Sequence, residues 1–560
     1  MDESHFYLEC IDCGHTQPMT TSMVMCHECG SMWMVARYDY AALSGDLLAR
    51  WQRRSFNAWR YRELLPVREA TNIVTLGEGG TPLISADNLG MMLGRRNIFI
   101  KDERQGPTHS FKDRQATVAI SMLKEMNVTE AVVASTGNVG ISYAAYSARA
   151  GIKQWVFFTS LVPPDKMRET ALYGAQVIKI TGTYDRSKQL AAEFADARGL
   201  HYDRGAKSIA AVESMKTVAF EIAEQLALRL PYTNANGRVQ LRAPDWYIQS
   251  VSGGLGPYGV IKGFQELYEM GLVDKMPKIA VIQADGCAPM SNSFKAGLAQ
   301  AEVVTNPRTH IATLSTGDPG RVYSLLRDYI LKHGGDMEAV SDEEAFRAMH
   351  VVAKMEGITT EPAAALTFAG LFKLVRQGKI ARDEVVVVNC TGHTIPVERE
   401  ILGEGWIRDV VVAGEDTSVP EPEHEGLLAA LNRLDERVRS IAIIDDNPEA
   451  ARLIRRILQA RGEYTVHHAE NGRAGLHLVH STHPDLIVLD LMMPEMDGFQ
   501  VLDALRADRT TSQIPVIVVS AKELTPDDRR RLDGQIQSLL QKGSFMDEDL
   551  LTEITSALGG

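Results

Sequence analysis

No stretch of the chain approaches the roughly 18 consecutive apolar residues of a membrane span, and its start, Met-Asp-Glu-Ser-His, lacks the basic-then-apolar layout of a secretory signal. A cytoplasmic protein with no membrane partner is therefore expected. Positive charge is also short. The 59 Lys and Arg stand against 72 Asp and Glu, and a formal net charge of −13 repels polyanions, which argues against nucleic acid as the main partner. The six cysteines are too few for a disulfide scaffold in 560 residues. Internal repeats of about 20–50 residues and low-complexity tracts are missing as well. The composition that remains, 45% hydrophobic and 23% charged, is that of an ordinary globular protein. At about 150 residues per domain the chain makes three to four domains, so the reading must be modular.

Four of the cysteines sit together as Cys10-x2-Cys13-x12-Cys26-x2-Cys29. Each Cys-x-x-Cys turn can aim two thiolates at one ion, and Gly14 and Gly30 follow where tight knuckles need permissive backbone. Four sulfurs make a closed, structural Zn²⁺ site. The alternatives are two redox pairs or free thiols, but a redox motif has no need of a twin. Cys287 and Cys390 stand alone and read as buried free thiols.

From residue 37 to 412, short β-branched runs alternate with longer amphipathic stretches; examples of the strands expected are 97–101, 131–135, 155–159, 177–181, 246–251, 278–284 and 384–389. Such alternation predicts a parallel sheet with crossover helices, and about 375 residues of it predicts two lobes with a cleft between them. An acidic, proline-bearing linker follows at 413–425, then a short amphipathic helix at 427–438 carrying Leu427, Leu431, Leu434 and Val438. Five further strand-like runs, at 441–445, 464–469, 485–490, 515–520 and 536–541, predict a doubly wound (βα)5 unit.

In the run Lys101-Asp-Glu-Arg-Gln-Gly-Pro-Thr-His-Ser-Phe-Lys-Asp-Arg114, Lys112 falls where a turn passes into a helix predicted over 113–126. The positive end of the helix dipole there favours the neutral amine that Schiff-base chemistry needs. Two glycine loops, Ala134-Ser-Thr-Gly-Asn-Val-Gly140 and Ser250-Val-Ser-Gly-Gly-Leu-Gly-Pro-Tyr-Gly259, each follow a strand and open a helix, and are suited to anion binding. Either loop alone could be a plain turn, and a lone lysine at a helix start is usually surface charge.

Together these residues resemble the fold-type II pyridoxal-phosphate enzymes, and among them the threonine synthases. The likeness spans residues 76–396 and includes Gly79-Gly-Thr-Pro-Leu83, Tyr173-Gly-Ala175, Gln283-Ala-Asp-Gly-Cys-Ala-Pro289, Glu361-Pro-Ala-Ala-Ala365 and Thr391-Gly-His393. The Pro-Thr-x-Ser-Phe-Lys-Asp-Arg wording around Lys112 belongs to the threonine synthase branch, whose relatives also carry an N-terminal zinc ribbon. The resemblance implies that Lys112 carries the pyridoxal phosphate and later acts as general base. It implies that Asn138 bonds the phenolic oxygen of the ring, that the loop Gly253, Gly254, Leu255 and Gly256 cradles the phosphate, and that Thr391 faces the pyridine nitrogen. Ser135, Thr136 and Gly137 would receive the substrate carboxylate. The chain departs from the family at His109, where glycine is usual, and at Thr394-Ile-Pro396, where Gly-Leu-Lys is usual. A substrate phosphate would then need another cation, with Arg104, Lys153, Lys166, Arg168 and Lys216 as candidates.

In the C-terminal unit Asp445 and Asp446 end the first expected strand, Asp490 the third, Ser520 the fourth and Lys542 the fifth. Strand ends on one edge converge, and three clustered carboxylates call for a hard cation such as Mg²⁺. With Asp490-Leu-Met-Met-Pro-Glu-Met-Asp-Gly498, this set resembles the receiver domain of response regulators. The resemblance implies that Asp490 is the phosphoacceptor, Asp445 and Asp446 further Mg²⁺ ligands, and Ser520 and Lys542 supports of the phosphoryl group. Leu539 stands where an aromatic switch residue is common, and Gly543 where proline is common.

The expected layout is a zinc ribbon at 1–36, a two-lobed α/β catalytic body at 37–412, a linker and helix at 413–439, and a flavodoxin-like receiver at 440–560. The function expected is a pyridoxal-phosphate lyase of the threonine synthase type, turning phosphohomoserine into threonine and phosphate and tuned by phosphorylation. Two other readings stay open: a deaminase or β-replacement enzyme on another hydroxy or phospho amino acid, and an amino-acid sensor with little turnover. The expected partners are an amino-acid substrate, a histidine kinase or phosphotransfer protein as phosphodonor, and further copies of the chain in a homo-oligomer.

Overall fold

The computed structural model describes residues 6–20, 25–43, 45–159, 162–181, 183–230, 241–393, 440–461, 464–520, 528, 531–532, 535–536 and 538–541. The segment Thr394-Ile-Pro396, the acidic linker, the helix expected at 427–438 and Lys542 lie outside them.

Four sheets organise the chain. The N-terminal one is antiparallel, with Phe6–Cys10 between Thr16–Gln17 and Met34–Tyr38. The largest has six strands in the order Gly335–Val340, Lys278–Ala284, Trp246–Ser250, Val385–Cys390, Asn97–Asp102 and Leu83–Ser85. All its pairings are parallel except that of the edge strand Leu83–Ser85. Its centre is Val-Val-Val-Val-Asn-Cys, buried at all six positions, as a parallel strand covered on both faces must be. A second lobe has four parallel strands, Gln176–Ile180, Lys153–Thr159, Glu130–Ser135 and His201–Asp203.

The seven strands named from the sequence all form. Three more, Leu83–Ser85, His201–Asp203 and Gly335–Val340, were not among those named. The first two have only three residues each, and the third reads Gly-Asp-Met-Glu-Ala-Val, whose acids disguise a strand. Glu338 is nonetheless 1% exposed, because Lys295, Lys373 and Lys379 surround its carboxylate.

The N-terminal sheet is fastened to the body through a buried polar cluster. Tyr38 donates its hydroxyl proton to Glu213 at 2.9 Å, and Glu213 and Glu266 alternate with Lys216 and Lys262 at 2.6–2.8 Å. Charges this deep persist only because each has partners of opposite sign. Two of the acids and bases lie on the helix Ile209–Arg229, whose charged residues also unfit it for a bilayer; among the described residues no helix is long and apolar enough to cross a membrane.

The C-terminal sheet is wholly parallel, in the order Thr465–Ala469, Ser440–Ile444, Leu486–Leu489, Val516–Ser520, Ser538–Gln541. This is the 2-1-3-4-5 order of flavodoxin-like units. Its first helix, Pro448–Arg461, packs against the body helix Asp342–Glu356. Ala451, Ile454 and Leu458 join one apolar cluster with Ala345, Ala348, Val351 and Val352.

Candidate active site

Lys112 opens the helix Lys112–Glu125. The turn before it is tied down on two sides. Thr108 donates its backbone N–H and hydroxyl to Asp113, at 2.9 and 2.6 Å. Phe111 N–H donates to the Thr391 carbonyl at 3.0 Å, Ser110 bridges Gly392, and His393 N–H reaches the His109 carbonyl at 3.1 Å. The lysine is thus strapped to the segment that leaves the central strand. His109 occupies the left-handed region with φ 59°, so the conformation that glycine adopts easily is kept by a residue that disfavours it.

The Lys112 ammonium lies 4.4 Å over the Phe111 ring and 3.4 Å from Gln115 Oε1. Burial pushes its pKa down to about 8, against the pull of the Asp203 and Glu361 carboxylates. Desolvation is therefore the leading cause of the lowered value. A usable fraction of the lysine is the neutral amine near neutrality.

Lys112 lines a cavity of about 110 Å³ together with the loop from Ser252 to Gly256. Gly254 has φ +85°, and a Cβ there would come within 2.7 Å of Val322 Cγ1; one at Gly256 would meet Gln249 at 2.3 Å. Gly253, by contrast, has nothing within 3.8 Å of where its Cβ would be, the nearest atom being Thr316 Cγ2 at 3.9 Å. The loop therefore offers bare backbone at the start of the helix Leu255–Glu269, where N–H groups can meet an anion. Thr391 and Asn138 line the same cavity.

The Asn138 amide is held on both sides. It donates to Glu361 Oε1 at 2.8 Å and accepts from Lys166 Nζ at 2.7 Å, and Lys166 also reaches Glu361 Oε2 at 3.0 Å. Glu361 appeared in the sequence only within the Glu361-Pro-Ala-Ala-Ala365 piece of the likeness, and Lys166 only as one of five spare cations. The other four stand elsewhere. Arg104 is bound to Asp102 and the Thr359 carbonyl, Lys153 to Glu130, Arg168 to Asp165, and Lys216 lies in the Tyr38 cluster.

The loop expected to receive a carboxylate is internally bonded. Ser135 Oγ accepts from the N–H groups of Gly137 and Gly140 at 3.0 and 2.9 Å, and the Thr136 hydroxyl donates to the Thr313 carbonyl. Past Lys112 and Thr136 a cavity of about 490 Å³ continues towards Tyr184, Lys188, Asp203, Arg204 and Lys207, and Trp33 of the N-terminal unit forms part of its wall.

Two other clusters match the sequence expectations in place. The sulfurs of Cys10, Cys13, Cys26 and Cys29 lie within 4.8 Å of one another, close enough to share one ion. Carboxylate oxygens of Asp445, Asp446 and Asp490 meet within the same distance at the carboxyl edge of the C-terminal sheet. Ser520 ends the strand Val516–Ser520 on that edge.

Residues 74–392 match the pyridoxal-phosphate dependent enzyme family, and residues 441–555 match the response regulator receiver domain. The chain is 36% identical over 386 residues to the threonine synthase of Methanocaldococcus jannaschii, covering 69% of this chain and 91% of that one. It is 33% identical to that of Methanosarcina acetivorans, covering 71% and 94%, and 35% identical to that of Mycobacterium tuberculosis H37Rv, covering 60% and 86%. With a lysine of lowered pKa and a glycine loop lining one cavity, and with homologues of this kind, the chain belongs to the pyridoxal-phosphate dependent enzymes as a fold-type II lyase homologous to threonine synthases, carrying a C-terminal response regulator receiver domain.

Proposed function

We propose that the protein converts phosphohomoserine and water to threonine and phosphate, phosphate leaving Cγ and water adding at Cβ, with Lys112 as the residue that holds pyridoxal phosphate. The observation that carries this is the half-buried Lys112 amine, which lines both a glycine-walled cavity of about 110 Å³ and a larger, cation-bearing one of about 490 Å³. The donor set suits the cofactor: bare backbone at Gly253 and Gly254 for a phosphate, Asn138 for the ring oxygen and the Thr391 hydroxyl for the ring nitrogen. When bound, the cofactor supplies an electron sink for charge left at the Cα of an amino acid. Everything else falls to the chain.

Lys112, neutral in part because it is buried, takes protons from Cα and Cβ and returns them. Lys166 and Glu361 hold the Asn138 amide in a fixed plane. Ser135, Thr136 and Gly137 set the loop that receives the substrate carboxylate. Lys188 and Lys207 line the larger cavity, and a phosphate on Cγ would take its charge partner from them. The family's missing lysine would then be replaced from the small lobe.

In the same reading Cys10, Cys13, Cys26 and Cys29 hold a structural Zn²⁺ in a ribbon at 1–36. The body runs from 37 to 412 and the receiver from 440 to 560, joined by the linker and helix at 413–439. Asp445, Asp446 and Asp490 hold Mg²⁺, and Asp490 accepts a phosphoryl group from a histidine kinase or phosphotransfer protein in the cytoplasm, with Ser520 and Lys542 in support.

The test is a substrate comparison on the purified holoenzyme. Phosphate and threonine formed together from phosphohomoserine, well above any ammonia formed from threonine or serine, are expected. Ammonia and keto acid as the dominant products would replace the proposal with a deaminase, and no turnover of any amino acid would leave a sensor.

A further inference from the structure

The wall of the larger cavity holds a buried carboxylate that has no part in the reading above. Asp203 ends the strand His201–Asp203, is 6% exposed, and makes no salt bridge among the described residues. A carboxylate taken out of water without a cation is costly, so its other contacts must be informative. Its Oδ2 accepts a hydrogen bond from the Tyr143 hydroxyl at 2.5 Å and its Oδ1 accepts from Gly205 N–H at 2.8 Å. The Tyr143 hydroxyl in turn accepts from Gln115 Nε2 at 3.2 Å, and Gln115 Oε1 faces Lys112 Nζ at 3.4 Å. Two side chains, Tyr143 on the helix Asn138–Ala150 and Gln115 on the helix of Lys112 itself, thus link the carboxylate to the lysine.

The other groups around this line have different tasks. Glu361 also faces Lys112, but Lys166 already pairs with it at 3.0 Å. Tyr184, Tyr202 and His201 adjoin Asp203, and burial keeps the two phenols protonated and the imidazole neutral. Arg204, next in sequence, spends its guanidinium on Asp196 and on the Tyr202 ring. Asp203 is therefore the buried carboxylate acting on Lys112 that makes no ion pair with another side chain among the described residues.

We propose that Asp203 is a positioning residue for Lys112: through Tyr143 and Gln115 it fixes the direction of the lysine amine, and its charge steadies the ammonium formed when that amine takes a proton from the substrate's Cα. In that step the Cα–H bond breaks, its electron pair stays with the amino acid, and the proton forms the third N–H bond of Lys112. The amine lies within a desolvated site that on its own disfavours this product. A fixed carboxylate restores basicity without itself touching the substrate. The inference rests on Lys112 being the base, whichever amino acid is the substrate.

The test begins with the full-length apoprotein, where Lys112 is open to a pulse of acetic anhydride and its acetylation is followed by peptide mass spectrometry across pH. In wild type the midpoint is expected near the value of about 8 set by burial. Asp203→Asn should lower it by roughly 0.5–1 pH unit, since a carboxylate favouring the ammonium is gone. In the holoenzyme turning over phosphohomoserine, the same variant should lose about 10–100-fold in kcat with KM little changed, as expected of a group acting through the base. Tyr143→Phe keeps the charge and cuts the link, so kcat should fall while the labelling midpoint stays in place. A midpoint in Asp203→Asn that is unchanged, or that rises towards that of an ordinary lysine, overturns the proposal, as does full kcat in Tyr143→Phe. Acetylation needs no substrate, so failure to turn over phosphohomoserine would sink the proposed reaction and leave this titration to be decided by its own midpoints.

Discussion

His109 shows how a single residue can keep a turn that suits another amino acid better. Its φ of 59° places Cβ against its own backbone, at a cost of about 1–2 kcal/mol, and only glycine escapes that cost. The turn persists because Thr108, Phe111 and His393 bond it from both sides. His109→Gly should therefore leave the Lys112 turn in place and raise stability by a net ~0.5–1 kcal/mol, after the extra freedom of glycine in the unfolded chain is discounted. Urea unfolding at constant slope measures it, and a loss of stability would mean that the imidazole does more than fill space. At this scale the sequence is most readable where chemistry is local. The clustered cysteines announce themselves by spacing, and Lys112 and the glycine loops by the motif wording that carries the family resemblance. Lys166, Glu361 and Asp203 do not, because 28 and 223 residues separate Asn138 from its two partners and the fold alone brings them together.

Among elements, the strand Gly335–Val340 was hidden by its charges and is held by them. Burial disfavours the ionised Glu338, yet hydrogen bonds from Lys295 and Lys379 outweigh it and bring the pKa down to about 2. A carboxyl whose folded pKa lies below its ordinary value of 4.5 contributes stability that is fully present above 4.5 and disappears as pH falls towards 2. Glu338→Gln should cost about 2–3 kcal/mol at pH 7 and should flatten this part of the acid limb. Thermal unfolding between pH 2 and pH 7 checks it, and an equal loss at every pH would show that the carboxylate acts by shape and not by charge. The β-branched strands were legible because their period and composition agree with their burial, as in Val385–Cys390. A strand whose acids are neutralised by lysines 40 residues away in sequence carries no local mark of it.

Across the whole molecule, both appended units lean on the body through specific contacts. The N-terminal sheet docks through Tyr38, whose hydroxyl bonds a cluster of four buried charges, and it lends Trp33 to the cavity wall. Removing the zinc proposed for the four cysteines with a chelator should therefore alter the response of the enzyme to its substrate, read as a rise in KM, while the cofactor absorbance stays. A chelator without effect on KM would detach the ribbon from the site. The receiver rests its helix Pro448–Arg461 on Asp342–Glu356, a helix that leads within five residues to Glu361. Ile454 is 2% exposed in that contact, so Ile454→Glu should part the two surfaces. Hydrogen exchange on 342–356 should then speed up, with cofactor absorbance kept; unaltered exchange would contradict the contact. The cysteine cluster and the receiver were readable in the sequence because cysteine spacing and strand-end acids are local, whereas this docking depends on which helix faces match in space. The account turns on one lysine, and it is tested most directly by borohydride reduction of the holoenzyme followed by peptide mapping. It predicts the pyridoxyl group on Lys112; the same group on Lys166, or on any lysine outside the cavity, would contradict it.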